Sequence, residues 1–521
     1  MSSPAKKDVH LFVFVHGLWG GPNHMQTIET SVKELLSEVS DEEIVTLKPS
    51  SFRFWKTYDG IRMNAQKVIA EIFYEIETLK KSNLNVTKFS IVGYSLGGLI
   101  SRYLIGLLEE MGFFKHVQPI FFTTFATPHV GVEFFKKNIF DATANLLGKY
   151  VFGMTGQELF LSDSECMLRE MADPSKCFYR GLQRFQKHIL LANVKNDRTV
   201  AFFTSYITEY SPYENWETIR IKYLKNLPEV GIGKTRVRPK FVDLTRSCVL
   251  SQEDATTFLG NVQEETTWLR SNKVIKVLVV VGFAMVVIPL WFPIALSTSL
   301  FVSVYSIFKI KLISPPKVNR HWIRVRDSVF GTLPVDTEDA QMGEHNRSER
   351  IKLSKQESFK GDTSKLTQKV VDNMMYAEER LSGHNASVQE EDPQDPQDDK
   401  DSQDLSDELG FFGKNKEVKI DLQDNDNVIK EHTDILTTSD YLKFPLFDPK
   451  HKLSMNEDKK YIIENLNKLE WVKIPVYLDC WNAHDAIVSR RGSKTGAATI
   501  LLWCSVLRNH IRESSTKAAT S

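Results

Sequence analysis

Ser95 stands in Gly93-Tyr94-Ser95-Leu96-Gly97, between the apolar run KFSIVG (88–93) and the amphipathic LGGLISRYL (96–104). Taken alone, a GxSxG pentapeptide arises by chance or as an ordinary strand-to-helix turn. Flanked by a buried strand and a helix, it reads as a nucleophile elbow, a strained turn that exposes the serine oxygen. The small residues Gly93 and Gly97 are then a steric requirement, because a side chain at either position would collide with neighbouring backbone.

A serine hydroxyl attacks an acyl carbon only when a histidine accepts its proton, and a carboxylate must orient that histidine. On a strand–turn–helix scaffold the partners follow in the order Ser, acid, His. Asp197 closes the strand-like HILLANV (188–194) within NVKNDRTV, where a carboxylate at a strand's carboxyl end points into a site. A plain Asn-Asp turn is the alternative, with Asp163 or Asp479 as substitute acids. His484 follows a late apolar run in CWNAHDAIVSRRG (480–492). Of the other histidines, His10 falls in the first strand, His16 belongs to a glycine-rich loop, and His129 comes too early in the order. The oxyanion formed during acyl transfer needs two N–H donors. Leu96, after the nucleophile, offers one, and Leu18 in HGLWGG (16–21) offers the other, with Gly17, Gly20 and Gly21 permitting the tight loop.

Elements capable of holding these residues are visible in the periodicity. LFVFV (11–15), KFSIVG, PIFFTTFA (119–126), HILLANV and IPVYLDCW (474–481) read as strands, and Met25 to Leu36, Ile61 to Leu79, 458–471 and Ala497 to Ile511 as helices. Alternating strands and helices predict a doubly wound, mostly parallel α/β sheet, the α/β-hydrolase fold. Its first part spans 1–260, with a cap near 132–185, and its last part, carrying His484, spans 455–515. The N-terminal apolar segment is too short for a signal-peptide core and reads as the first strand.

Two insertions separate the parts. Val277 to Phe308 is uncharged over 32 residues and is interrupted by Pro289 and Pro293. Arg270, Lys273 and Lys276 precede it, and Lys309, Lys311, Lys317 and Arg320 follow. Two full crossings need roughly 40 residues plus a turn, so 270–324 reads as a hairpin dipping into one leaflet, with basic flanks on the cytosolic side. A soluble helix pair is the alternative. The order of the chemistry gives the same topology, because Ser95 and Asp197 precede the run and His484 follows it. Deleting 277–308 is therefore expected to spare hydrolysis of a soluble ester. The second insertion, 336–440, is polar and acidic, too poor in apolar residues to fold by itself.

HGLWGG, GYSLGG, FATPHVGV (125–132), NDRTV and H-x-x-I-V-x-R (484–490) resemble the "putative serine esterase" family of fungal lipases over about 1–250 and 455–515. That resemblance implies Ser95, Asp197 and His484 as a triad and hydrolysis of glycerophospholipid acyl esters. Ala201 stands where the family often has proline, a difference of loop rigidity. The triad is indifferent to head group, so a monoacylglycerol or neutral glyceride substrate and a catalytically silent membrane tether stay open. The expected partners are a phospholipid or glyceride substrate and a membrane or lipid-droplet monolayer, placing the protein at droplets or the endoplasmic reticulum with the catalytic part facing the cytosol.

The whole chain excludes other classes. Its 66 basic and 66 acidic residues cancel, so no field draws it to nucleic acid. Five widely spaced cysteines without a CxxC pair argue against a disulfide framework or a metal site, and no cofactor is expected.

Overall fold

Parallel strands buried on both faces need helices above and below them. The computed structural model of the protein describes residues 7–135, 145–146, 148–232, 235–250, 297, 300–301, 303–305, 318–330 and 441–520. Its strands are β1 (Lys7–Val15), β2 (Glu43–Leu47), β3 (Leu84–Tyr94), β4 (Gln118–Phe125), β5 (Lys187–Asn193), β6 (Ile219–Arg220), β7 (Val230–Ile232), β8 (Thr235–Val237), β9 (Lys240–Phe241), β10 (Cys248–Val249) and β11 (Trp471–Tyr477). Seven form one sheet in the order β2-β1-β3-β4-β5-β11-β9, while β6 pairs with β10 and β7 with β8. Every pairing in the large sheet is parallel except that of β11 with β9.

The two faces are covered as a doubly wound fold requires. Helices α1 (Gln26–Leu36), α2 (Ile61–Lys81) and α3 (Leu96–Glu110) are joined by a long C-terminal helix, Lys494–Thr520. The C-terminal helix packs against α1, and α3 packs against α2. Strand alternation divides the core between them. Val9, Leu11, Val13 and Val15 of β1 share one apolar cluster with α2 and α3, while Phe12 and Phe14 share the other with α1 and the C-terminal helix. At roughly 1.5–3 kcal/mol per buried large side chain, this burial is what fixes strand register.

The parallel sheet, the helices and the strands expected at 11–15, 88–93, 119–126 and 188–194 are present, while the strand expected at 474–481 runs Trp471–Tyr477 and the helix expected over 458–471 ends at Leu466. The expectation lacked β2. EIVTL has only three apolar residues, and its place is set by pairing with β1. It also placed the last helix at 497–511, whereas the helix begins at Lys494 and continues to Thr520. The acidic insertion at 336–440 lies outside the described residues. So does the hairpin expected over 270–324, apart from 297, 300–301, 303–305 and 318–324. Among the described residues no helix is long and apolar enough to cross a membrane. After the apolar run the chain returns to this domain, where Val318–Val325 packs on α2 and Trp322 Nε1 donates to Met111 O at 2.7 Å.

Candidate active site

Ser95 sits between β3 and α3 with φ 55° and ψ −127°, a conformation that L residues rarely hold. Crowding enforces it. A Cβ on Gly93 would lie 2.4 Å from Gly98 Cα, and one on Gly97 would lie 2.1 Å from Val15 O, a carbonyl of β1. Ser95 N donates to Phe125 O at 2.9 Å, so the elbow is also tied to the end of β4.

His484, in the short helix Ala483–Ala486 that follows β11, brings Nε2 to 3.0 Å from Ser95 Oγ, and its Nδ1 stands 3.0 Å from Asp197 Oδ2. Asp197 follows β5, the neighbour of β11 in the sheet, so adjacent parallel strands deliver base and acid to one edge. The carboxylate is well held. Oδ1 accepts from Thr199 N at 3.0 Å and Val200 N at 2.8 Å, and Oδ2 accepts from Asn193 Nδ2 at 2.8 Å as well as from His484. Burial pushes the Asp197 carboxyl up, but the His484 ring and these donors hold it below the ordinary aspartate range. For His484 burial pushes down, and the Asp197 carboxylate more than offsets it, leaving the imidazole above its usual 6.5. The substitute acids lie in other contacts. Asp163 Oδ2 accepts from Met167 N at 2.8 Å, and Asp479 Oδ1 accepts from Tyr477 Oη at 3.4 Å.

The HGLWGG loop lies directly against the serine. A Cβ on Gly17 would meet Ser95 Cβ at 2.7 Å and Oγ at 3.3 Å, so only glycine allows this approach and brings Leu18 beside the elbow. On the other side Leu96 opens α3, where the first amides have no partner within the helix. His16 is buried, stacks on Phe52 at 4.1 Å between ring centroids and directs Nδ1 to Gly17 O at 3.0 Å. Burial lowers it to about 4, so it stays neutral. The glycines divide differently from expectation. The left-handed residue of the loop is Trp19, at φ 54°, and a Cβ on Gly21 would meet nothing within 4 Å. His129 bonds Thr124 Oγ1 at 3.0 Å through Nε2, and His10 bonds Ser90 Oγ at 2.7 Å.

Several supporting residues escaped the reading of the sequence. Tyr94, the variable residue of the pentapeptide, donates its hydroxyl to His484 O at 3.0 Å and Asp485 Oδ1 at 3.3 Å, and Arg490 Nη1 meets the same oxygen at 2.6 Å. Asn196, left-handed at φ 61°, donates to Cys480 O at 2.8 Å and accepts from Ala483 N at 3.1 Å. The Arg198 guanidinium lies 3.2 Å above the Trp481 ring centroid. Thus the acid loop and the histidine loop brace each other. The signal was present as polar residues inside the quoted motifs, but their partners are about 280–400 positions away in sequence.

Among the described residues no group of His, Cys, Asp and Glu could hold a metal ion, and all five cysteines are free. A serine on a strained elbow, bonded in series to a histidine and a buried carboxylate on this sheet, defines an α/β-hydrolase with the machinery for acyl transfer. Residues 5–208 match the family described as Putative serine esterase (DUF676). It is 30% identical over 219 residues to a "putative lipase" of Schizosaccharomyces pombe, covering 39% of this chain and 27% of that protein. To the "putative lipase ROG1" of Saccharomyces cerevisiae it is 29% identical, covering 39% and 29%. The chain thus spans under a third of the length of these curated relatives. Among solved structures, phospholipase PlaB from Legionella pneumophila is similar at 18% identity and a TM-score of 0.25, over 44% of this chain and 50% of that one. A likeness that slight adds nothing to what the sheet order establishes.

Proposed function

We propose that this protein is a serine hydrolase of lipid acyl esters, with glycerophospholipids as substrates. Ser95 Oγ attacks the ester carbonyl, His484 Nε2 takes the proton and returns it to the leaving alcohol, and water then releases the acyl group from Ser95 by the reverse exchange. Asp197 holds the imidazole with Nδ1 protonated and stabilises the imidazolium. The N–H groups of Leu18 and Leu96 receive the oxyanion. The observation that carries this reading is the series Ser95 Oγ, His484 Nε2, His484 Nδ1, Asp197 Oδ2, with 3.0 Å at each hydrogen bond. Lipid as the substrate class is supported by the family resemblance, by the printed names of the relatives and by the apolar run. A phospholipid and glyceride panel assayed with purified protein, beside the Ser95→Ala variant, tests it. Release of fatty acid from glycerides but not phospholipids would replace the substrate named here.

The same proposal places the enzyme on lipid droplets or endoplasmic reticulum, facing the cytosol and anchored by 277–308 as a hairpin in one leaflet. Basic flanks on both sides of the run support this. So does the sheet, because β5, before the run, and β11, after it, are hydrogen-bonded neighbours and cannot lie across a bilayer from each other.

A further inference from the structure

The apolar run is joined to the oxyanion loop by a continuous series of side-chain contacts. Ser303 belongs to a helical stretch in which Leu300, Phe301, Val304 and Tyr305 share one stripe and are 47–72% exposed, whereas Ser303 is 2% exposed. Its Oγ donates to Val151 O at 2.8 Å and accepts from Gly153 N at 3.0 Å. One hydroxyl therefore fixes the start of the helix Gly153–Leu159, at a glycine held at φ 61°.

That helix clamps the segment Phe54–Asp59. Thr155 Oγ1 donates to Thr57 O at 2.6 Å and accepts from Gly60 N at 3.1 Å, and Glu158 Oε2 accepts from Ile61 N at 2.6 Å. Phe152 packs edge-on against Tyr58 at 5.9 Å. The segment in turn grips the oxyanion loop. Trp19 N donates to Thr57 Oγ1 at 3.2 Å, and Trp19 Nε1 donates to Tyr58 Oη at 2.7 Å. Trp19 is the left-handed residue immediately after Leu18, so its amide and indole together set where the Leu18 N–H points.

We propose that Ser303 is a positioning residue for the oxyanion loop, so that the segment meeting lipid is mechanically part of the acyl-transfer site. The inference rests on the assignment of Ser95 as an acyl-ester nucleophile. It changes the expectation for deleting 277–308, since that deletion removes Ser303 and should lower turnover even on a soluble ester.

The test uses the full chain in detergent micelles with p-nitrophenyl butyrate. Ser303→Ala should lower kcat by about 3–10-fold with KM within about twofold of wild type, a fraction of the 10²–10³-fold seen when an oxyanion donor is removed outright. Tyr58→Phe, which removes the Trp19 acceptor without touching the cap backbone, should do the same. Because the two act in one series, the double variant should lose little more than the worse single variant. Wild-type kcat in folded Ser303→Ala overturns the proposal, as does a double variant whose losses multiply. Should Ser303→Ala fail to fold, Tyr58→Phe decides alone, and wild-type kcat there refutes the link. Fluorophosphonate labelling of wild type that depends on Ser95 separates this from failure of the underlying assignment: labelling present with silent Ser303 and Tyr58 variants sinks only the positioning claim.

Discussion

The triad edge of the sheet and the cap edge beside it are built by different means. Ser95, Asp197 and His484 each follow a strand of one hydrogen-bonded sheet, so backbone pairing and strand burial fix their spacing. The oxyanion loop is held from the side by Thr57, Tyr58, Thr155 and Ser303, side chains joined across as many as about 150 positions of sequence. On the proposed reading the spacing of the three groups is set by backbone pairing of neighbouring strands, whereas the alignment of the oxyanion donors is set by side-chain contacts such as that of Ser303.

The largest effects belong to the triad edge. Ser95→Ala, His484→Ala and Asp197→Asn should each lower kcat by roughly 10⁴-fold, and Ser95→Ala should leave the thermal transition in place. A steady-state assay with calorimetry checks this, and a nearly silent Asp197→Asn would move the acid elsewhere. Next comes Gly97→Ala. Its Cβ would press on Val15 O at 2.1 Å, a backbone atom that cannot turn away, so activity should collapse and stability fall by about 1–3 kcal/mol or more. A stable, active variant would show that the elbow is less crowded than described.

A gentler probe of the same edge is pH. His484 must be neutral to accept the Ser95 proton, and Asp197 raises it above 6.5, so kcat/KM should fall on acidification along a limb centred above pH 6.5. A limb centred below 6.5 would contradict the Asp197–His484 pairing. The cap edge supplies the smallest effect. Burial raises Glu158 from 4.5 to about 8. A folded-state value above the unfolded one contributes stability that is complete below pH 4.5 and is lost as pH rises toward 8. Glu158→Gln, which cannot ionise, should therefore gain in Tm relative to wild type as pH is raised from about 5 to 8. Parallel Tm curves for the two proteins would refute the buried acid.

This contrast also governs what could be read from the sequence. Strand β3, the elbow and α3 are consecutive in the chain, so Gly93, Ser95 and Gly97 announce themselves through local sterics. Asp197 and His484 were recognisable because each ends an apolar run in the right order. Tyr94, Asn193, Asn196 and Asp485 stood inside those motifs but were silent, because what they do depends on partners that only the folded sheet brings near. Ser303 was less legible still. In an uncharged run it looks like a tolerated polar residue, and only its position on the inner side of an otherwise outward-facing stripe gives it a role. Strand β2 was missed for a related reason, its strand character coming from β1 and not from its own composition.

Topology joins the two edges, since both depend on 1–250 and 441–520 lying on one side of any membrane. Tags at Ser3 and Thr516 should both be digested by protease added to intact droplets or microsomes, and protection of either would separate His484 from Ser95.

The central claim is that Ser95 is the nucleophile. Incubation of the purified full chain with a fluorophosphonate, followed by proteolysis and mass spectrometry, should place the phosphonyl adduct on the peptide containing Ser95, with labelling lost in Ser95→Ala and strongly slowed in His484→Ala. An unmodified Ser95 peptide in protein that hydrolyses esters, or an adduct on another serine, would contradict the account.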